Sequence, residues 1–264
     1  MKDVQNQRDA RGIDIQKVGV KGVELPITVQ RKDAEDITIY SLATVGVSLP
    51  AHYKGTHMSR FIEVLNDYSD KHLLGKDIKG CLESILDKLE AKSGYLRFEF
   101  KYFIDKTSPV TGISAPMCYD CSFEGVLDNY GEEDEEYKFY LGVDVPVATL
   151  CPCSKEISEY GAHNQRTLVS VNITYPEDEH IWIEDLINDI EKCASTPLYP
   201  LLKREDEKYV TEHAYDNPKF VEDVLRDVVL TLRKNDIIDS FEVECESLES
   251  IHNHSAWAYQ VEGG

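Results

Sequence analysis

The 264-residue chain has the composition of a folded globular protein with a large excess of acidic side chains. Hydrophobic residues make up 42% of it, and 49 Asp and Glu against 28 Lys and Arg give a formal net charge of −21. The apolar content excludes wholesale disorder, and the negative charge argues against nucleic acid as a partner. A small anionic ligand stays compatible with this charge, because a local basic cluster dominates at close range.

The sequence predicts a cytoplasmic protein with reduced thiols and no membrane partner. No stretch approaches the ~20 apolar residues of a membrane-spanning helix, and residues 1–10 lack the apolar core of a signal peptide. The seven cysteines are odd in number and scattered, unlike a disulfide framework. We therefore expect thiols that are available for metal binding or for catalysis.

The first half of the chain is predicted to contain two strands, two helices and two more strands after a polar, mobile arm at residues 1–12. β-Branched residues indicate the strands, and apolar residues spaced by three and four indicate the helices. The predicted elements are strands over 18–29 and 37–47, a short helix after Ser59, an amphipathic helix over about 76–91, and strands over 95–103 and about 117–127.

The second half repeats this order after an acidic connection at residues 129–136. The doubled pattern predicts an α+β fold in which antiparallel sheets carry helices on one face, built as modules 13–128 and 137–264. Its predicted elements are strands over about 137–149 and 167–174, helices marked by Ile183 to Cys193 and by Phe220 to Leu232, and strands over about 239–245 and 255–261.

The densest group of chemically active residues lies between two predicted strands, at residues 150–166. Two thiols, Cys151 and Cys153, are followed by Lys155, His163 and Arg166. Such loops commonly carry function. The alternative is that the cysteines only fill the end of a strand, but His163 in the same loop favours a chemical role.

A second group contains His252 and His254 near the end of the sequence. On a strand, residues two apart share one face, which suits metal binding or paired acid–base work. Two surface histidines without a role are the alternative. Together with the thiols, these imidazoles favour a site for Zn²⁺ or a similar divalent ion.

Two acidic positions are further candidates. Glu205 follows Lys203 and Arg204 in what reads as a charged loop, from which a carboxylate could complete a metal shell. Glu222 lies beside the apolar face of a predicted helix, where it is either solvated or holds the N–H donors of a ligand.

Several other sites are not supported. The pair Cys118-x-x-Cys121 has no matching second pair, which argues against a zinc ribbon. The sequence has no P-loop, no G-x-G-x-x-G and no G-x-S-x-G motif.

Three strings of residues resemble GTP cyclohydrolase IB: 151–158 with 161–166, then 217–223, and finally 249–254. The first string is long and specific, and the match spans nearly the whole chain in order. The resemblance implies the tunnelling fold, whose module is two strands, two helices and two more strands. It also implies two modules per chain and a homotetramer.

The same resemblance implies metal-dependent hydrolysis of GTP to 7,8-dihydroneopterin triphosphate and formate, the first step of tetrahydrofolate biosynthesis. One divalent ion per site is implied, with Zn²⁺, Mn²⁺ and Fe²⁺ all open. The implied roles are Cys151, His163, Glu205 and His252 as metal ligands, Cys151, His163 and His254 in catalysis, Glu222 on the N–H edge of the purine, and Lys155, Arg166, Lys203 and Arg204 on the triphosphate.

Several alternatives stay open at this point. His254 could replace His252 as the ligand, Cys153 could also bind metal, the product could be a cyclic phosphate, and subunits could share sites. Cys151 or Cys153 could instead act as a covalent nucleophile on a pterin-like or deazapurine substrate, with alkylation sensitivity and no metal dependence. A non-catalytic, metal-stabilised assembly module is the third hypothesis.

Overall fold

The computed structural model describes residues 5, 7–69 and 71–263. The chain forms two compact units. The first contains the residues up to Lys101 with Ser122–Leu141 and Tyr175–His180, and the second contains Tyr102–Cys121, Gly142–Thr174 and the residues from Ile181 onward. Each unit is thus built from chain segments that are distant in sequence.

Nine strands and six helices are found in the described residues, and the α+β class with antiparallel strands is confirmed. They are β1 (Ile15–Val29), β2 (Ile37–Leu49), α1 (Met58–Tyr68), α2 (Gly75–Leu89), β3 (Gly94–Thr107), β4 (Ser114–Asp128), β5 (Glu136–Leu150), α3 (Pro152–Ile157), β6 (Asn164–Thr174), α4 (Ile183–Glu191), β7 (Thr196–Pro197), α5 (Arg204–Asp216), α6 (Val221–Leu232), β8 (Ser240–Leu248) and β9 (Ala256–Glu262).

The core of the first unit lies between the helix α2 and the strands beside it. Antiparallel β1, β2 and β3 present apolar side chains on one face. The α2 side chains spaced by three and four, among them Leu82 and Leu86, are fully buried. A Cβ atom on Gly94 of β3 would lie 3.1 Å from atoms of both leucines. The helix therefore packs closely on the sheet, as its apolar period predicts.

One glycine of β1 is required by the close approach of β2. A Cβ atom at Gly19 would lie 2.0 Å from the carbonyl oxygen of Val45, a distance that no side chain can occupy. The strands are paired here, Gly19 with Gly46 and Val20 with Val45. Glycine is therefore needed for this contact between two backbones.

The second unit contains the antiparallel strands β6, β8 and β9, and the helix α6 packs on β8 and β9. Val224 and Val228 of α6 are fully buried, as are Val243 and Cys245 of β8. β7 pairs with β5 through Val147 and Pro197. The end of β5 and the start of β6 both belong to this unit.

The described part of the predicted arm is held by the main chain. Residues 1–4 and 6 lie outside the described residues, whereas residues 5, 7 and 9 form main-chain hydrogen bonds with residues 55, 54 and 52. Such pairing needs no apolar side chains, so a polar composition does not reveal it. Within the described residues, no helix is both long and apolar enough to span a bilayer.

The largest difference from the predicted elements is α5, which the sequence indicates as a charged loop. Only Asp206 and Ala214 of this helix are buried, so it has almost no apolar period to detect. The second half also contains α3 and β7, which the pattern of two strands, two helices and two strands does not include. The division into modules 13–128 and 137–264 stays a prediction.

The start of α5 is fixed by Asp206 rather than by apolar packing. This carboxylate is fully buried and accepts the main-chain N–H groups of Val110 and Thr111 at 2.9 Å, the Thr111 hydroxyl at 2.6 Å and the Lys203 N–H at 2.9 Å. Burial by itself would raise the pKa of Asp206, but the hydrogen bonds from Thr111, Lys203 and Val110 outweigh it and hold that pKa well below its ordinary range.

We expect Leu82→Ala to lower the free energy of unfolding by about 2–5 kcal/mol, because the removed atoms leave a cavity in the α2 core. Urea unfolding followed by circular dichroism measures this. Leu230→Ala is the matched control, since Leu230 is 50% exposed. Equal losses in the two variants would contradict the packing described for α2.

We expect acid to destabilise the wild type more than Asp206→Asn. The lowered pKa of Asp206 means that its carboxylate stabilises the folded state above the unfolded pKa of about 3.9, and that this contribution is lost as the pH falls. The free energy of unfolding, measured between about pH 6 and about pH 3, should therefore fall less steeply in the variant.

Asp216→Asn, at the exposed other end of α5, serves as the control for this measurement and should follow the wild type. An Asp206→Asn variant with the acid dependence of the wild type would show that the carboxylate does not stabilise the start of the helix.

Candidate active site

All ten sequence-predicted site residues lie in the second unit. Two of them are set directly beside strand ends. Cys151 follows β5, and His163 precedes β6. The segment between them is closed by a hydrogen bond from the Cys151 N–H to the His163 carbonyl oxygen at 3.1 Å. A thiol and an imidazole are thereby brought to neighbouring positions.

Ser154 connects the two residues a second time. Its hydroxyl donates to the Cys151 carbonyl oxygen at 3.1 Å and accepts the His163 N–H at 3.2 Å. Its own N–H lies 3.5 Å from the Cys151 sulfur, which caps the short helix α3. The sulfur therefore faces the first turn of α3, and the main chain of His163 is fixed at both its N–H and its carbonyl.

The His163 ring is held by a further set of hydrogen bonds. Its Nδ1 lies 2.9 Å from Oε1 of Gln165, and Nε2 of Gln165 donates to the hydroxyl of Thr149 at 3.2 Å. Thr149 is buried with Thr167 and Ser247, and these three hydroxyls contact each other. The β6–β8 register pairs Thr167 directly with Ser247.

The segment after β8 reaches the same ring. The Ser250 hydroxyl lies 3.3 Å from His163 Nδ1. His252 and His254 follow in this segment, exposed, with ring centroids 5.2 Å apart and nearly parallel planes. They do not have the strand geometry that would set both rings on one face: residues 250–254 form bends between β8 and β9, which agrees with the turn-forming Ser250 and Asn253.

The side chain of Lys155 contacts Tyr215 within the same unit. Its ammonium group donates to the Tyr215 carbonyl oxygen and lies 4.3 Å from the centroid of the Tyr215 ring. This links α3 to the last turn of α5. Its predicted role on a triphosphate stays a prediction, while the structure gives it a role in joining two helices.

The loop before α6 lies beside the end of β5. The Lys219 N–H donates to the carbonyl oxygen of Leu150, the residue before Cys151, at 3.0 Å. The Asn217 side chain donates to the carbonyl oxygens of Ala194 and Ser195 at 2.9 and 3.2 Å. Glu222 is exposed in the first turn of α6, so its carboxylate is accessible to a ligand.

Among the described residues, the predicted metal ligands Cys151, His163, Glu205 and His252 do not come together in one metal-binding cluster. Glu205 is exposed at the start of α5, roughly 15 Å along the helix from Tyr215, where α5 contacts Lys155. Within residues 5, 7–69 and 71–263, no three His, Cys, Asp or Glu side chains lie close enough together to hold a metal ion. Arg166, Lys203 and Arg204 are likewise exposed.

Most of the other cysteines are buried and chemically protected. Burial raises the pKa of Cys81 and of Cys245 to about 12 and also raises the pKa of Cys193. Cys118 is exposed and Cys121 buried on opposite faces of β4, and burial raises the pKa of Cys121 well above its usual value. Three residues apart on a strand, the pair cannot form half of a zinc ribbon.

Sequence reasoning missed two contributors to this site, Ser154 and Gln165. Both lie inside the string that resembles GTP cyclohydrolase IB, yet only the folded contacts show what they hold. It also missed Asp206 at the start of α5, although an acidic residue three positions after Lys203 is typical of a helix start.

A family model and the relatives found by comparison with known proteins agree on one family. A family model described as Type I GTP cyclohydrolase folE2 matches residues 1–258. GTP cyclohydrolase FolE2 of Fervidobacterium nodosum is 52% identical over 260 residues, covering 98% of this chain and 96% of the relative. The protein of the same name from Geotalea uraniireducens is 49% identical over 258 residues, covering 98% of this chain and 92% of the relative.

Solved structures add a likeness of fold. Uricase from Arthrobacter globiformis matches with a TM-score of 0.56 and 8% identity, covering 94% of this chain and 93% of that one. A uricase from Bacillus fastidious matches with a TM-score of 0.55 and 9% identity, covering 94% and 92%. At such low identity the likeness concerns the fold alone. The family match and the relatives together show that the chain belongs to the type I GTP cyclohydrolase FolE2 family.

Proposed function

We propose that this chain hydrolyses GTP to 7,8-dihydroneopterin triphosphate and formate, the first step of tetrahydrofolate biosynthesis. The observation that carries the proposal is membership of the FolE2 family with about half of the residues identical over nearly the whole chain. The paired Cys151 and His163, fixed by Ser154, support it by supplying a defined location for the chemistry.

A divalent ion is part of this proposal, with Zn²⁺, Mn²⁺ and Fe²⁺ as candidates. The donor chemistry fits, because thiolate and imidazole are ligands for such ions, and the Cys151 and His163 main chains are joined directly. These two residues would hold the ion, and His252 and Glu205 are proposed as further ligands. When bound, such an ion acts as a Lewis acid and lowers the pKa of water towards about 7.

The chain's own residues then have to orient guanine and move protons. Water must add to C8, the imidazole ring of guanine must open, and the formamide must lose formate. The imidazoles of His163 and His254 are the proposed proton carriers for successive steps. The Glu222 carboxylate would accept N–H groups on the guanine edge, which provides charge-assisted hydrogen bonds and orientation.

The triphosphate needs local positive charge in a chain whose net charge is −21. Arg166, Lys203 and Arg204 are exposed and therefore accessible to it. For Lys155 to contact a phosphate, its contacts with Tyr215 would have to break. We therefore propose the other three cations as the main triphosphate ligands, with Lys155 as a secondary one.

We also propose the tunnelling fold, the two modules, a homotetramer and a cytoplasmic location. The likeness of fold to the two uricases supports the first of these. Light scattering during gel filtration would test the tetramer, for which about 120 kDa follows from a subunit of 30.1 kDa.

We expect Cys151→Ala to lower kcat for GTP by roughly 100-fold or more, because a proposed ligand of the catalytic ion is removed. Formate release and pterin fluorescence, followed together, measure this, and bound metal should fall in parallel. Cys153→Ala is the control, since Cys153 is exposed two residues away, and it should keep most of the activity.

The same pair of variants separates the metal site from covalent catalysis. Loss of activity in Cys153→Ala with Cys151→Ala unaffected would move the site by two residues. Alkylation that abolishes turnover of a chelated but still active enzyme would favour a nucleophilic cysteine instead.

We expect Glu222→Gln to lower kcat/KM for GTP roughly 10- to 100-fold, since the loss of a hydrogen bond to a charged group costs about 1.5–3 kcal/mol. Steady-state kinetics on GTP measure this effect. Glu212→Gln on α5 is the control, because Glu212 is exposed and forms only a 3.8 Å surface pair with Lys208. Unchanged kinetics in Glu222→Gln would remove this residue from the purine site.

A further inference from the structure

We propose that Gln165 is a positioning residue that holds His163 in the tautomer protonated on Nδ1, so that Nε2 presents its lone pair to the site. The link to catalysis rests on the proposed function, whereas the tautomer itself is a property of the folded chain.

The first step of the argument is the contact on Nδ1. The atom that lies 2.9 Å from His163 Nδ1 is Oε1 of Gln165. A carboxamide oxygen only accepts hydrogen bonds, whereas a neutral imidazole carries one donor and one acceptor nitrogen. The hydrogen therefore resides on Nδ1. The Ser250 hydroxyl oxygen, 3.3 Å from the same nitrogen, is a second oxygen partner for this N–H.

The second step is the contact at the other end of the amide. Nε2 of Gln165 donates to Thr149 at 3.2 Å. The Thr149 hydroxyl lies 2.8 Å from that of Thr167, which lies 2.8 Å from that of Ser247. All three side chains are at most 1% exposed, so the chain of hydroxyls relies on protein partners. The amide therefore bridges the His163 ring to a group of buried side chains.

The third step concerns the backbone of His163. Its N–H donates to Ser154 and its carbonyl oxygen accepts from Cys151. With the main chain fixed on both sides and Nδ1 engaged, the orientation of the ring is determined. The unprotonated Nε2 is then available either as a ligand or as a proton acceptor, the two roles proposed for His163. An outer hydrogen bond of this kind fixes the ring of metal-binding histidines.

The direct test is the tautomer of His163 in the metal-free full-length protein. Selective ¹⁵N labelling of the eight histidines, with the His163 signal assigned by its loss in His163→Gln, distinguishes Nδ1–H from Nε2–H by two-bond ¹⁵N–¹H correlations. We expect Nδ1–H in the wild type. A wild-type His163 protonated on Nε2 would overturn the proposal, and this reading depends on no variant of Gln165.

Two substitutions connect the tautomer to the site. Gln165→Glu keeps an oxygen that accepts from Nδ1 and should keep the Nδ1–H signal. Gln165→Leu removes the acceptor and should give a mixture of tautomers. In kinetics, Gln165→Leu should lower kcat and metal affinity about 10- to 100-fold with KM for GTP changed less than about threefold, and Gln165→Glu should restore most of both.

Gln260→Leu, an exposed substitution on β9, is the matched control and should leave both readouts unchanged. Thermal unfolding of each variant checks that it is folded. A folded Gln165→Leu variant with wild-type tautomer and turnover would overturn the positioning role. A wild type that shows Nδ1–H but does not turn over GTP would contradict the proposed function and leave the tautomer assignment intact.

Discussion

The candidate site depends on the hydrogen bonds that join the end of β5 to the start of β6. Cys151 and His163 are connected through their main chains, and Ser154 makes a second bridge between them. These are short, local contacts, but they rest on strands whose positions are set by the buried core. The chemistry proposed for the site needs a sulfur and an imidazole at fixed positions. These hydrogen bonds hold the main chain of the two residues that carry them.

Further contacts hold the residues around Cys151 and His163 in place. Gln165 and the buried hydroxyls orient the imidazole, the segment after β8 brings Ser250 to the same ring, and the loop before α6 is bonded to Leu150. Buried hydrogen bonds of this kind have a high cost when one partner is lost. The second unit is thus organised around a polar network that positions side chains, in addition to its apolar core.

The elements with a strong apolar period could be predicted from the sequence, and those without one could not. The strands β1 to β6 and the helices α2, α4 and α6 follow from β-branched residues or from apolar spacing. The helix α5 escaped detection because its start is held by Asp206, whose partners Val110 and Thr111 are nearly a hundred residues away in the sequence. The sequence shows which chemically active residue types occur in the site segments. The role proposed for Gln165 becomes visible only in its folded contact with Thr149.

Net charge gives a further example of what sequence alone leaves open. The excess of acidic residues argues against nucleic acid as a partner, but it does not reveal that Lys155 contacts Tyr215 while Arg166, Lys203 and Arg204 stay exposed. Which cations are accessible is decided by packing. The recognition of a small anion that we propose would therefore rely on these few side chains and not on the net charge of the chain.

The most direct test of the account is the fate of C8 of GTP. The wild-type protein is chelated, reloaded separately with Zn²⁺, Mn²⁺ or Fe²⁺ under reducing conditions, and incubated with [8-¹³C]GTP while ¹³C NMR follows the label. The account predicts that the label appears in formate, that this stops on chelation, and that at least one of the metals restores it. Label that stays in intact GTP in every metal state would contradict the account.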